Sequence, residues 1–160
     1  MNIDWIDFLI TPLVAAIVGF AVYYFQSRID ALRRAQERLH DDRRNVYAEV
    51  LDPFIRVFAS LKNPHETEKA LKIIKSYEYK KTAFEFSLIG SDKVVRAFNS
   101  FSQYTYQLDA EAGEKPDTKT LMLLWGGFLL EIRRNVGDPK TRLSPFDMLR
   151  VQIKDIDTIA

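Results

Sequence analysis

The sequence predicts an all-α protein: an N-terminal transmembrane helix continuing into a charged helical stalk, then a cytoplasmic bundle of four to five helices. Three observations carry this. From Phe8 to Phe25 no residue is charged, a run of 18, the lower limit for a helix crossing about 30 Å of hydrocarbon. From Ser27 to Arg44 the chain is densely charged and has neither Gly nor Pro, so nothing there ends a helix. From Asn45 onward, apolar residues recur at three-and-four spacing between recognisable helix starts and stops. The corresponding segments are 1–26, 27–44 and 45–160.

The apolar stretch, WIDFLITPLVAAIVGFAVYYFQ, begins at Trp5 and ends at Gln26. A secretory signal peptide begins basic and ends in small residues, whereas this one begins with Asp4 and Asp7 and ends Tyr23-Tyr24-Phe25. A buried core helix is the competing reading. The flanks favour a span: six arginines (Arg28, Arg33, Arg34, Arg38, Arg43, Arg44) follow it closely and no Lys or Arg precedes it. The positive-inside rule then puts the N-terminus outside and the following domain in the cytoplasm, with Trp5 and Tyr23-Tyr24 at the two interfaces. Thr11, Ala15 and Gly19 share one helical face, where small side chains let helices approach closely in lipid. Asp4 and Asp7 lie one turn apart at the outer end. In an oligomer they would form acidic rings of the kind found at cation pores; in a single anchor they are a solvated first turn.

In the stalk, ten of eighteen residues are Asp, Glu or Arg. Ile29, Leu32, Leu39 and Val46 trace a thin seam at heptad-like spacing, too short to specify a coiled coil. Its arginines suit anionic headgroups, and equally suit an ordinary cytoplasmic flank. RAQERLH, Arg34 to His40, satisfies the Arg-x4–6-His pattern of HEPN-type ribonucleases. It lacks the polar residue that usually follows the arginine, and an arginine-rich helix matches so loose a pattern easily.

The remaining elements follow in order. NVYAEVLDPFIRVFASLKN places Val46, Val50, Leu51, Phe54, Ile55, Phe58 and Leu61 on an amphipathic helix, with a bend expected near Leu51 because Pro53 lies inside it. Asn63-Pro64 ends that helix and starts a second, running through LKIIKS with Glu66 and Glu68 in its first turns. YEYKKTAFEFSLIG is ambiguous: Ala83, Phe84, Phe86, Leu88 and Ile89 partly alternate as in a strand, yet no partner strand is evident, which favours helix or a bent extended piece. Ser91 caps a helix through Glu111. Asp117 or Thr118 starts another, closed by Gly137. Its LMLLWGGFLL, Leu121 to Leu130, is too short to span a bilayer and reads as a central core helix. There Gly126 and Gly127 suggest close packing or a bend, since each costs about 1 kcal/mol against Ala. Ser144-Pro145-Phe146-Asp147 has the form of a helix start, with a final helix expected to about Ile156.

The composition offers little for catalysis. The formal charge is +1, and there is no Cys and only His40 and His65. Disulfide and thiolate chemistry are therefore excluded, and a general attraction to nucleic acid is not implied. No phosphate loop, dinucleotide fingerprint, zinc spacing or HExxH occurs, and neither a metal nor a cofactor is expected; Asp41-Asp42 and Asp155/Asp157 lie on charged surface stretches. Two basic patches remain. Arg133 and Arg134, followed by Lys140 and Arg142, gather guanidinium groups suited to phosphates. Tyr77, Tyr79, Lys80 and Lys81 interleave cations with rings on which the bases of a single strand can stack. Cations also favour a helix C-terminus for its dipole alone.

The arginine-rich approach to RRNVYAEVLDPF, the helix start GSDKVV, and LLEIRRNVG followed by LSPFDMLR resemble short bacterial membrane proteins with one N-terminal span and a cytoplasmic helical domain. In layout the chain is similar to single-span membrane effectors of anti-phage defence, nearest to the channel effector of the Hailong system. The resemblance implies a homo-oligomeric channel in the bacterial inner membrane, not an enzyme, whose cytoplasmic part binds a DNA oligomer made by a partner nucleotidyltransferase. It is architectural, so no functional residue is carried over. Two other readings stay open: a membrane-tethered scaffold whose helical domain binds a cytoplasmic protein, and a membrane-anchored HEPN-like ribonuclease.

Overall fold

A computed structural model describes the backbone of residues 4–60, 63–110, 117–153 and 156, with side chains for these apart from 4–13, 15, 16 and 108–110. The described residues form five helices and no strand: α1 (Asp4–Ala59), α2 (Pro64–Lys75), α3 (Tyr77–Ile89), α4 (Asp92–Ala110) and α5 (Thr118–Val136). Contacts divide the chain into two units, 1–40 and 41–160.

The first unit is helix throughout its described backbone. Val14, Ile17, Val18, Phe20, Val22, Tyr23, Tyr24 and Phe25 are all exposed, Phe20 to 71%. At 100° per residue these positions surround the helix, so the segment has no polar face to offer water. Arg28 sits 5.6 Å above the Tyr24 ring and donates to its hydroxyl at 3.3 Å. Among the described residues no helix is long and apolar enough to cross a membrane. The side chains of Asp4, Asp7, Thr11 and Ala15, with the rest of 4–13 and Ala16, lie outside the described residues. Gly19 is exposed, and a methyl group added there would meet nothing within 4 Å.

The second unit packs around aromatic rings. Trp125 is buried and touches Phe54, Phe58, Phe101 and Phe128, with ring centroids 5.0–5.6 Å apart. Phe128 leads on to Phe98 and Phe86, and Phe86 meets Tyr47 edge-on at 5.6 Å. Most of these pairs are tilted or edge-to-face, the arrangements the ring quadrupole favours. Leu121–Leu130 is thus the core helix its composition predicts, with Trp125, Gly126, Phe128 and Leu130 buried. Gly126 fits because a Cβ there would collide with the Pro145 backbone, 2.8 Å from its carbonyl carbon. Gly127 has open space instead.

One ambiguity resolves, Pro53 stays inside a helix, and one expected helix changes. The ambiguous 77–89 segment is a helix, started by Ser76, whose Oγ accepts from the Tyr79 N–H at 3.2 Å. Its apparent alternation arises because apolar residues occupy two faces: Phe86 is buried, whereas Phe84 and Leu88 are exposed. Helix α1 continues through the buried Pro53. The carbonyl that Pro53 leaves without a donor belongs to Glu49, which is exposed, so water can take it. Third, the expected last helix is absent among the described residues. Its capping box is intact: Ser144 Oγ and N–H donate to Asp147 Oδ2 at 2.7 and 2.8 Å, and the Asp147 N–H returns to Ser144 Oγ. Beyond it the backbone makes turns, with the Leu149 N–H donating to Phe146 rather than to Pro145. The seating of Pro145 on Gly126 and the burial of Leu149 and Ile156 override the helical start.

Candidate ligand cleft beside helix α1

The strongest candidate site lies where the start of α4 meets the end of α5. Asp117 starts α5 by accepting from the Lys119 N–H at 3.1 Å and from the Thr120 hydroxyl. The Thr120 bond, more than any other contact, holds the Asp117 carboxyl below the usual carboxylate range. At the other end the N–H groups of Gly137 and Asp138 both donate to the Arg133 carbonyl, at 2.9 and 3.0 Å. Gly137 closes the helix with φ −131°, so its backbone does not need the left-handed region. The following loop folds back: Arg133 Nε donates to Thr141 Oγ1 at 3.2 Å, and the Lys140 N–H donates to Asp138 Oδ1 at 3.1 Å.

Of the predicted anion-binding residues, Arg133, Lys140 and Arg142 are exposed around this loop, and Arg134 is ion-paired with Glu131. Beside them a cleft of about 220 Å³ is lined by Ser91, Lys93, Glu131, Arg134, Asn135 and Pro139. Lys93 and Arg134 outnumber the single carboxylate of Glu131, so the cleft suits a group the size of a phosphate or carboxylate. Tyr47 is hydrogen-bonded to two of these residues. The Tyr47 hydroxyl accepts from the Ser91 N–H at 3.0 Å and donates to Asn135 Oδ1 at 3.0 Å. One turn earlier on α1, Arg43 Nε donates to the Ile89 carbonyl at 2.6 Å. Arg43, read from sequence as a stalk residue, is half-buried in the second unit.

The α3 patch is divided between surface and core. Tyr77 is 76% exposed, and Lys80 and Lys81 are exposed beside it. Tyr79 is buried: its ring meets Phe54 edge-on at 6.1 Å, and its hydroxyl reaches the Val50 carbonyl at 3.5 Å. Burial pushes its phenol well above the ordinary range. The reason is geometric, since residues two apart point to opposite sides of a helix, and Tyr79 therefore cannot share a base-stacking surface with Tyr77. No described contact joins Lys80 or Lys81 to the Arg133–Arg142 group.

Sequence reasoning missed Ser91, Lys93 and Asn135 as cleft residues, and Tyr47 as the side chain that bridges Ser91 to Asn135. They are brought together by contacts 44 and 88 residues apart along the chain, which no local spacing encodes. Arg34 and His40 are exposed on α1. Among the described residues no three His, Asp or Glu side chains are grouped to hold a metal ion. No protein-family model, curated protein or solved structure matches this chain.

Proposed function

We propose that this chain is an oligomeric membrane effector. Residues 8–25 cross the bilayer, several copies enclose an ion path, and an anionic ligand in the Ser91–Asn135 cleft shifts the equilibrium between closed and open forms. The observation that carries this is Tyr47: one hydroxyl on α1 ties both walls of the cleft, Ser91 and Asn135. A ligand that separates or tightens those walls must favour one arrangement of Tyr47 over another. Differential affinity of that kind is the only way a ligand can gate.

Support for the membrane comes from the exposed apolar side chains on every side of α1 between Val14 and Phe25. A helix apolar all round requires apolar surroundings. The arginines that follow orient the second unit to the cytoplasm, and Thr11, Ala15 and Gly19 would face a neighbouring span. The ligand class that suits the cleft and the cations around it is a short DNA or another phosphate-bearing nucleotide oligomer.

The test is ion flux from liposomes carrying the purified protein, with and without short single-stranded DNA. Lys93→Ala with Arg134→Ala should weaken binding, and the parent's affinity should fall steeply with salt. Tyr47→Phe should leave binding largely intact and uncouple it from flux. A monomer in mild detergent, or flux indifferent to every oligonucleotide and nucleotide, would reject the reading. Unchanged function after a foreign span replaces residues 8–25 would favour a tethered scaffold instead.

A further inference from the structure

Helices α1 to α4 enclose a pocket of about 110 Å³, walled by Phe54, Tyr79, Phe98 and Phe101, with the exposed Lys80 and Tyr106 at its mouth. The hollow has a cause in the sequence. Tyr79, Phe98 and Phe101 are buried where α3 and α4 meet the core. The positions beside them carry Ala83, Ser102 and Thr105, small side chains that leave the space unfilled. A void next to a packed core forfeits the dispersion contacts its lining would otherwise make. An apolar cavity of about 150 Å³ takes up one benzene, so a pocket of this order has room for one ring and not for a ring with a sugar.

The walls and the mouth differ in what they select. Phe54 meets Tyr79 and Phe101 edge-on, with centroids 6.1 and 5.4 Å apart, so a ring inserted among them finds the edges and faces that aromatic pairs favour. None of the described lining residues is acidic. Among the described residues no ion pair engages Lys80. On α3, at about 100° per residue, Lys80 lies about 60° from Ala83, whereas Glu78, Lys81 and Glu85 lie about 140° or more away, on the far side of the helix. Lys80 is therefore the charge that a ligand entering the pocket meets.

We propose that this pocket binds a small single-ring aromatic carboxylate, its ring among Tyr79, Phe98 and Phe101 and its carboxylate paired with Lys80. An apolar chamber with one polar group fixing the orientation is the usual form of a small-molecule site. The pocket shares no lining residue with the Ser91–Asn135 cleft, so the inference stands or falls separately from the function proposed above.

The test uses the full chain in lipid nanodiscs, titrated with para-fluorophenylacetate and followed by fluorine NMR, with empty nanodiscs as the blank. Line broadening beyond the blank, reversed by excess phenylacetate, is expected. Ala83→Leu fills the hollow from α3 and should abolish the broadening while holding or raising the unfolding midpoint. Lys80→Gln changes an exposed side chain, so it keeps the test open if Ala83→Leu does not fold. It should weaken binding roughly two- to fivefold, the usual worth of an exposed ion pair, and para-fluorobenzyl alcohol should bind the parent more weakly by a similar factor. Broadening no greater than the blank would overturn the inference, as would a folded Ala83→Leu that binds like the parent. Equal binding of the alcohol and the acid would remove the role of Lys80 and with it the proposed ligand class. Displacement of the probe by hexanoate as readily as by phenylacetate would make this an acyl-chain pocket, and stronger displacement by uridine monophosphate a nucleotide pocket; either result rejects the aromatic carboxylate.

Discussion

Between Val14 and Phe25 the large apolar side chains of α1 are exposed, whereas from Val46 to Val50 the same helix buries Val46, Tyr47 and Val50 against the aromatic core. The backbone is helical in both regions, because its hydrogen bonds close within the helix whatever surrounds it. What differs is the side-chain surroundings. The later region loses water to Phe86, Phe98 and Trp125; the earlier one shows apolar surface in every direction and finds no cover within its own unit. One helix thus requires two environments, and continuity of the backbone carries no information about either.

The sharpest way to break the comparison is to remove a large side chain from each region. Trp125→Ala should cost the second unit about 3–5 kcal/mol, whereas Phe20→Ala should leave its unfolding in urea unchanged in detergent. A comparable loss from both would mean that the two regions form one cooperative core. Next in size, Gly126→Ala should destabilise by about 1–3 kcal/mol through collision with Pro145, while Gly127→Ala should be neutral or stabilising by up to about 1 kcal/mol. Equal effects at the two glycines would contradict the described packing of Pro145. Tyr47→Phe should cost about 1 kcal/mol by removing one donor and one acceptor, and should speed amide exchange at Ser91 specifically.

The smallest effect is electrostatic. Asp117 and Asp147 are both held below the ordinary carboxylate range, chiefly by hydrogen bonds from Thr120 and Ser144 respectively. A carboxyl lowered in the folded state contributes its stabilisation above its unfolded value, about 3.9, and loses it as pH falls below that through the lowered one. Stability of the second unit should therefore decline as the medium is acidified below about pH 4. Asp117→Asn with Asp147→Asn should flatten that decline; an identical slope would show that these caps contribute nothing in solution.

Helix boundaries were legible wherever a local chemical signal decided them. Pro64 begins α2, Asp117 caps α5, and Gly137 ends it. Where tertiary contact decided, the sequence misled. Ser144 and Asp147 form the expected capping box, yet Pro145 seats on Gly126 and the chain turns away from helix. Tyr77 and Tyr79 read as one basic aromatic patch from their closeness in sequence, but in a helix residues two apart point to opposite sides, and Tyr79 is buried. The cations Arg133, Arg134, Lys140 and Arg142 were visible as a run. Their companions Ser91, Lys93, Asn135 and Tyr47 were not, since folding alone makes them neighbours.

The indole nitrogen of Trp125 is buried and, among the described residues, has no hydrogen-bond partner. Leaving it so costs about 1–3 kcal/mol, offset by the rings around it, and it also gives the molecule an optical label. An indole buried among rings emits at the blue end of the tryptophan range and shifts red once solvent arrives. The chain's other tryptophan is Trp5. Trp5→Phe leaves an emitter that reports only whether the aromatic core is closed. A core substitution of Trp125 by Phe leaves one whose quenching by brominated lipid reports only where the first turn of α1 resides. Two single-residue changes thus separate the folding of the domain from the surroundings of the first helix, each read from the colour or intensity of its own light.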